Sequence, residues 1–256
     1  MSKILLIESL VCNTFKILNG FPAYITIEQK EKPTDLISEQ ELSMLINLCS
    51  YWGLKRIGVS LDKTSEDFNY LSDLFQRNGF EHFSSRVEVY KDLTNLDKGE
   101  TPFTYAALAD QSFSESEFKH LWERCMSGSD NKPSTLTMDQ HIMSVKSELG
   151  EDWGKSCHVY YLQNNPIGIS IPHIEPGTMD EGRLFYFGLL PEARGKGLST
   201  SLHLHSLWAL KEMGATYYIG STHIANKKME RVFEKNGCVT RTQTETFYKY
   251  FPIKED

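Results

Sequence analysis

The stretch from Arg183 to Ser201 constrains this chain more than any other. Its apolar run, Leu184-Phe-Tyr-Phe-Gly-Leu-Leu190, has the composition of a buried strand. Pro191 ends the run, and Arg194-Gly195-Lys196-Gly197 leads into a helical stretch beginning at Leu198. A strand, a small-residue loop and a helix N-terminus, in that order, make an anion site. The first amides of a helix have no internal partner, the helix dipole is positive there, and glycine lets a ligand approach the backbone closely. The stretch therefore predicts a phosphate-bearing ligand.

Two familiar phosphate loops fit poorly. A P-loop requires Gly-x-x-x-x-Gly-Lys-Ser/Thr, but Lys196 is followed by Gly197, and Leu190 stands where the first glycine belongs. A dinucleotide fingerprint requires Gly-x-Gly-x-x-Gly at the end of a strand. Here Gly195-x-Gly197 is followed by Thr200, and Pro191 to Arg194 intervene. A third pattern fits better. Arg194-Gly195-Lys196-Gly197-Leu198-Ser199 resembles the Arg/Gln-x-x-Gly-x-Gly/Ala acyl-CoA loop of the GNAT superfamily of N-acyltransferases, with Ser199 as a small-for-small replacement in the last position.

The resemblance extends on both sides of the loop. Leu198, Leu202, Ala209 and Met213 form a stripe at helical spacing, and Gly214 ends that helix. Residues 215–220 have strand composition. Asn226 caps a short helix with Met229, Val232 and Phe233 on one side, and Gly237 closes it. Asn226, Val232-Phe233 and Gly237-Cys238 occupy the positions of the family's Asn, apolar-Tyr and Gly-Phe pattern. Upstream, residues 157–163 and 167–171 flank Asn164-Asn165-Pro166, a hairpin turn. Ser114-x-x-Glu117 is a capping box that opens a helix to about Met126. The resemblance covers residues 103–252 and implies a mixed α/β fold: a central, mostly antiparallel sheet flanked by helices.

The family resemblance implies acetyl-CoA as co-substrate and an N-acetyltransferase acting on a primary amine of a small molecule or peptide, with no metal. It assigns the pyrophosphate to the amides of Gly195, Lys196, Gly197, Leu198 and Ser199, with Arg194 and Lys196 adding positive charge. The strand before the loop, with Phe187, Leu189 and Leu190, is implied to bind the pantetheine arm and polarise the thioester carbonyl. Asn226 and Phe233 complete the implied cofactor contacts. Many relatives protonate the leaving thiolate with a tyrosine where this chain has Phe233. Tyr217, Tyr218, Tyr248 and His223 are the substitutes, and His223, after the 215–220 strand, is the candidate catalytic residue. Glu175, Asp180 and Glu181 are read as solvated loop carboxylates. His203 and His205 stand two apart on a helix, so they face different sides and make a poor metal pair, and His205 is read as a core histidine. The rival reading is a non-catalytic CoA-binding or sensory module, which the missing tyrosine favours.

Composition bounds the remaining possibilities. With 27 basic and 34 acidic residues the net charge is −7, which disfavours nucleic acid as a partner. No apolar run reaches membrane-spanning length. The first ten residues read as a strand without signal-peptide character. The five cysteines, odd in number and without Cys-x-x-Cys, fit reduced thiols in the cytoplasm. A monomer or homodimer is expected.

The first hundred residues echo the last. Gly53-Leu-Lys-Arg-Ile-Gly-Val resembles Gly214-Ala-Thr-Tyr-Tyr-Ile-Gly, and Phe75-Gln-Arg-Asn-Gly79 resembles Phe233-Glu-Lys-Asn-Gly237. Tyr90-Lys91 follows Gly79 at the spacing at which Tyr248-Lys249 follows Gly237. The shared register predicts a degenerate GNAT-like N-terminal domain over residues 1–95 and a complete domain over 103–256, joined by a polar linker, residues 92–102. The segment from Glu28 to Asp35 carries charge and no glycine, so the first domain is expected to bind no CoA.

Overall fold

A computed structural model describes residues 3–131 and 133–252. Along the chain come α1 (Lys3–Val11), β1 (Phe15–Gly20), β2 (Tyr24–Gln29), α2 (Glu39–Tyr51), β3 (Arg56–Asp62), α3 (Phe68–Arg77), β4 (Glu81–Asp92) and β5 (Thr104–Ala107). They are followed by α4 (Glu115–Met126), α5 (Met138–Leu149), the short α6 (Trp153–Ser156), β6 (His158–Leu162), β7 (Asn165–Ile174) and β8 (Glu181–Leu189). The last elements are α7 (Leu198–Glu212), β9 (Tyr217–His223), α8 (Lys227–Lys235) and β10 (Val239–Tyr250). The fold is mixed α/β with helix-flanked sheet, as the resemblance implies.

Two compact units are formed, residues 1–86 with 242–256 and residues 87–241. These boundaries differ from the expected 1–95 and 103–256. They fall inside β4 and β10, because residues 244–250 of β10 pair antiparallel with β3 of the first unit. Within that unit β1 and β2 are antiparallel and β2 and β3 parallel. Its core joins Ile7, Val11, Ile25, Leu45, Phe75 and Phe247. The opening residues are helical rather than extended. Ile7 and Val11 are the residues α1 buries, four apart and on one side, so the period is that of a helix rather than of a strand.

In the second unit the strand order from the last residues of β4 is β4-β9-β8-β7-β6-β5. β5 to β8 are antiparallel neighbours, and β8 and β9 run parallel. Helices α4 and α5 begin with complete capping boxes, Ser114 with Glu117 and Thr137 with Gln140, which satisfy otherwise orphaned amides. The hairpin between β6 and β7 turns at Gln163 and Asn164, both with positive φ (51° and 64°), one residue earlier than expected. Asn165 and Pro166 already belong to β7, since two left-handed residues suffice for a tight hairpin. Strand β7 is buried from Ile167 to His173, as suits a strand covered on both faces. One cluster around Phe118, Trp122, Val145, Ile169 and Ile171 and another around Leu207, Leu210, Tyr218 and Phe233 make up most of its core.

The two halves of the chain repeat a local plan. Helix α2, β3 and α3 are followed by Asn78-Gly79 and β4. Helix α7, β9 and α8 are followed by Asn236-Gly237 and β10. The helix-ending asparagines have nearly the same geometry (φ −90°, ψ 16° and φ −90°, ψ 8°). In the first unit the Lys249 ammonium donates to the Asn78 carbonyl at 2.9 Å. In the second, Lys91 lies beside Gly237.

Candidate functional site

The site begins where β8 and β9 part. Their parallel register holds for Glu181 with Tyr217 and Gly182 with Tyr218. Opposite β7, two residues of β8, Phe185 and Tyr186, face the single residue Ile171, a bulge that bends the strand and lets Pro172 sit within the sheet. Residues 184–188 are consequently half-buried rather than buried as the apolar run suggests, because past Gly182 one edge of β8 is left without its neighbour.

Beyond Leu189 the chain makes one 3-10 turn and enters α7 through Gly195 (φ 74°) and Gly197 (φ 77°). Gly197 is the N-cap residue, left-handed and without a side chain to close the helix. A Cβ at either glycine would meet nothing within 4 Å, so the loop is open on that side. Among the described residues, none accepts a hydrogen bond from the amides of Gly195, Lys196 or Gly197. Leu198 and Ser199 add first-turn amides of a fifteen-residue helix. These five residues converge as a positively polarised end with exposed Lys196 beside it.

The other residues expected at the cofactor are used differently. The Arg194 guanidinium donates to the carbonyls of Leu189 (3.1 Å), Gly128 (3.1 Å) and Cys125 (2.9 Å). It fastens the loop to the C-terminal end of α4, where carbonyls lack helical partners, and so places the site rather than reaching into it. The Leu190 amide donates to the Ile167 carbonyl at 2.9 Å, and its side chain is fully buried. With the Leu189 carbonyl taken by Arg194, Phe187 is the strand residue of the three on the half-buried stretch. The Asn226 side chain caps α8 by accepting from the Met229 amide (3.1 Å) and donates to Asn131 Oδ1 (3.2 Å). Phe233 packs into the core, its ring 5.4 Å from that of His203.

The His223 ring is engaged locally, its Nδ1 accepting from the Ala225 amide at 3.1 Å. Tyr217 donates to Glu181 Oε2 at 3.3 Å, and Tyr248 belongs to the first unit, stacked on Phe83.

Tyr218 stands in a network that sequence reasoning did not find. Asn236 Nδ2 donates to His203 Nδ1 at 2.8 Å, which puts the His203 proton on Nε2, 3.5 Å from the Tyr218 hydroxyl. Burial lowers His203 to about 3, so the ring is neutral, and burial also raises the Tyr218 phenol, so it keeps its proton. The Tyr218 ring lies over Gly220, on the part of β9 that has left β8. The two histidines of α7 do face different sides. His205 is buried against Phe103, Tyr105, Tyr160 and Trp208. Glu175 and Glu181, expected to be solvated, are buried, and Asp180 accepts from Thr216.

Residues 116–238 match the acetyltransferase (GNAT) family. By sequence, no curated protein matches. The fold is similar to that of a GCN5-related N-acetyltransferase from Sphaerobacter thermophilus, at 12% identity and a TM-score of 0.57, covering 92% of this chain and 76% of that one. It is similar to a GCN5-related N-acetyltransferase from Kribbella flavida at 12% identity and a TM-score of 0.58, covering 95% and 92%. A tandem GNAT protein from the clavulanic acid biosynthesis pathway is similar at 11% identity and a TM-score of 0.56, covering 91% and 77%. At these identities the likeness is one of fold. The second unit thus carries, over residues 116–238, an acetyltransferase domain of the GNAT family, in a chain that shares the fold of GNAT proteins along most of its length.

Proposed function

We propose that the chain is an N-acyltransferase that moves an acetyl group from acetyl-CoA to a primary amine of a small molecule or peptide. The observation that carries this reading is the open N-terminus of α7, uncapped and glycine-lined, at the end of a strand that has parted from its neighbour. The amides of residues 195–199 would hold the pyrophosphate, with Lys196 adding charge, and the free edge of β8 near Phe187 would receive the pantetheine arm. In direct transfer the amine nitrogen bonds to the thioester carbonyl carbon, the C–S bond breaks, the amine loses a proton and the departing sulfur gains one. Among Tyr217, Tyr218, Tyr248 and His223, Tyr218 suits the last step best. Its hydroxyl is oriented by His203 and its proton is retained at neutral pH.

Among its described residues the first unit offers no equivalent site. Its helix α2 is closed by Ser38 and Glu41, whose carboxylate accepts from the Ser38 amide at 2.8 Å, so a negative charge already fills the position of an anion. Its parallel strands β2 and β3 stay paired from Tyr24 with Arg56 to Glu28 with Ser60. The proposal therefore includes one CoA per chain, a degenerate GNAT-like first unit and, given five unbridged cysteines, a reducing cytoplasmic setting.

The test is calorimetric titration of the full chain with CoA, followed by acetyl transfer assays over a panel of amines with wild type and Tyr218→Phe. One CoA per chain and a loss of transfer of about 10²-fold or more in the variant are expected. A stoichiometry of two, or undiminished transfer by Tyr218→Phe, would overturn the assignment concerned. The engaged ring of His223 and the phenylalanine at 233 favour a second reading, a CoA-binding module without turnover. CoA binding with no transfer to any amine would establish it.

A further inference from the structure

A buried polar cluster lies in the second unit on groups that the proposed acyl transfer does not use. Strand alternation puts Ile171, His173 and Glu175 on one face of the β7 segment and its continuation. The last turn of α5 brings Glu148 to the same place. His173 and Glu175 are 4% and 3% exposed, and the Glu148 side chain is 12% exposed. His173 Nε2 lies 3.6 Å from Glu148 Oε1 and 3.5 Å from Glu175 Oε2. Neither ring nitrogen makes a hydrogen bond among the described residues. A buried imidazole aimed at two carboxylates without bonding to either is a costly arrangement, since buried polar atoms are nearly always paired.

The spacing suggests what would engage Nε2. A charged hydrogen bond from an imidazolium would draw a carboxylate oxygen to about 2.7–2.9 Å. Two ligand atoms each about 2.0–2.2 Å from a tetrahedral metal ion stand about 3.3–3.6 Å apart. The two histidine–carboxylate distances match the second case, and the three donor atoms lie within 4.8 Å of one another. Around them is a supporting shell. Arg183 Nε lies 3.4 Å from Glu175 Oε2 and 2.6 Å from Glu181 Oε1, and Tyr217 donates to the other Glu181 oxygen. Residues that orient a ligating carboxylate in this way are what a metal centre requires of its surroundings.

We propose that Glu148, His173 and Glu175 bind one divalent first-row metal ion, Zn²⁺ by the chemistry of one imidazole and two carboxylates. The sequence suggested no metal, because the three ligands come from a helix and a strand with no motif spacing between them. The ion would fasten the end of α5 to β7, with a water as its fourth ligand. This site is independent of the CoA loop.

The experiment uses the full chain, stripped with a chelator and dialysed, then titrated with Zn²⁺ alone by calorimetry. X-ray absorption at the zinc edge reads the ligand set. The expected result is one ion per chain in a sulfur-free shell containing one imidazole, and a melting temperature raised by the metal. His173→Gln and Glu148→Gln should each weaken binding by about 100-fold or more, and Glu181→Gln, which weakens its ion pair with Arg183, by about 10–100-fold. Should His173→Gln fail to fold, Glu148→Gln at the less buried position decides the matter. Absence of binding, an affinity that Glu148→Gln leaves unchanged, or sulfur in the shell would overturn the proposal.

Discussion

Substituting Gly197 separates the two properties of the α7 N-terminus, its backbone strain and its affinity for anions. Gly197 sits at φ 77°, ψ 3°, and a Cβ there meets no atom within 4 Å. Gly197→Ala therefore adds no clash, only the left-handed strain of an L-residue, about 1–2 kcal/mol. For a unit of 150–250 residues each kcal/mol lowers the melting temperature by about 2–4 °C. Gly197→Glu carries the same strain but places a carboxylate at the positive end of the helix, which returns about 0.3–1 kcal/mol. Without ligand, the Glu variant should melt no lower than the Ala variant. With CoA the order reverses. A carboxylate about 5 Å from one phosphate charge costs about 3 kcal/mol at an effective dielectric of 20, or about 10²-fold in Kd. Raising the salt concentration should narrow that gap. Calorimetry with CoA and thermal melts of both variants give the two readings. Equal CoA affinity in Gly197→Glu, Gly197→Ala and wild type would refute the assignment of the pyrophosphate to this loop.

Arg194→Ala removes three charge-assisted bonds to carbonyls. It should cost about 2–3 kcal/mol in a chemical denaturation curve and weaken CoA binding although the guanidinium bonds only to protein carbonyls among the described residues; unchanged stability would contradict the fastening role. Burial holds His203 at about 3 and His158 at about 4, whereas an unfolded imidazole takes its proton near pH ~6.5. Below ~6.5 the unfolded chain binds more protons, so this contribution is complete above that pH and falls through the window down to about 3–4. Urea midpoints at pH 7 and 5 should show the loss, and His203→Asn should reduce it; equal midpoints in wild type would be the contrary result. Phe233→Tyr puts a hydroxyl into a packed site beside His203. It should melt a few degrees lower, since overpacking costs about 1–3 kcal/mol. It should transfer acetyl groups at an unchanged or higher rate with saturating acetyl-CoA; a large loss of rate in the folded variant would show that position 233 needs an apolar ring.

Much of this architecture could be read from local sequence because local chemistry decides it. Ser114 with Glu117, Asn226 with Met229, and the glycines at 195 and 197 act within a turn of the chain, so residue type and spacing sufficed. Where a side chain's partner comes from a distant element, local reading failed. Arg194 looked like a ligand cation, but the carbonyls of Cys125 and Gly128 in another segment accept its hydrogen bonds. Asn226 caps its helix yet also answers Asn131, and Leu190 gives its amide to Ile167. Glu175 and Glu181 looked like loop acids, and the closing of β7 on β8 buried them with Arg183. The opening helix was misread because its short apolar run suits either period, and the burial of Ile7 and Val11 decides between them.

The exchange of strand segments between the halves of the chain has a consequence for biosynthesis. The first unit includes residues 244–250, which pair with β3, and Lys249, which reaches the carbonyl of Asn78. A ribosome that has made residues 1–86 has not yet supplied that strand. It must first synthesise the stretch from Val87 to Arg241, which at about 5–20 residues per second takes roughly 10–30 s. Until then β3 lacks its β10 partner and presents an open strand edge, the kind of surface that invites pairing with another chain. Residues 1–86 are thus made before the strand that completes their unit. A chain cut shortly before Thr242 should leave that unit, rather than the acetyltransferase domain, as the part that chaperones must hold.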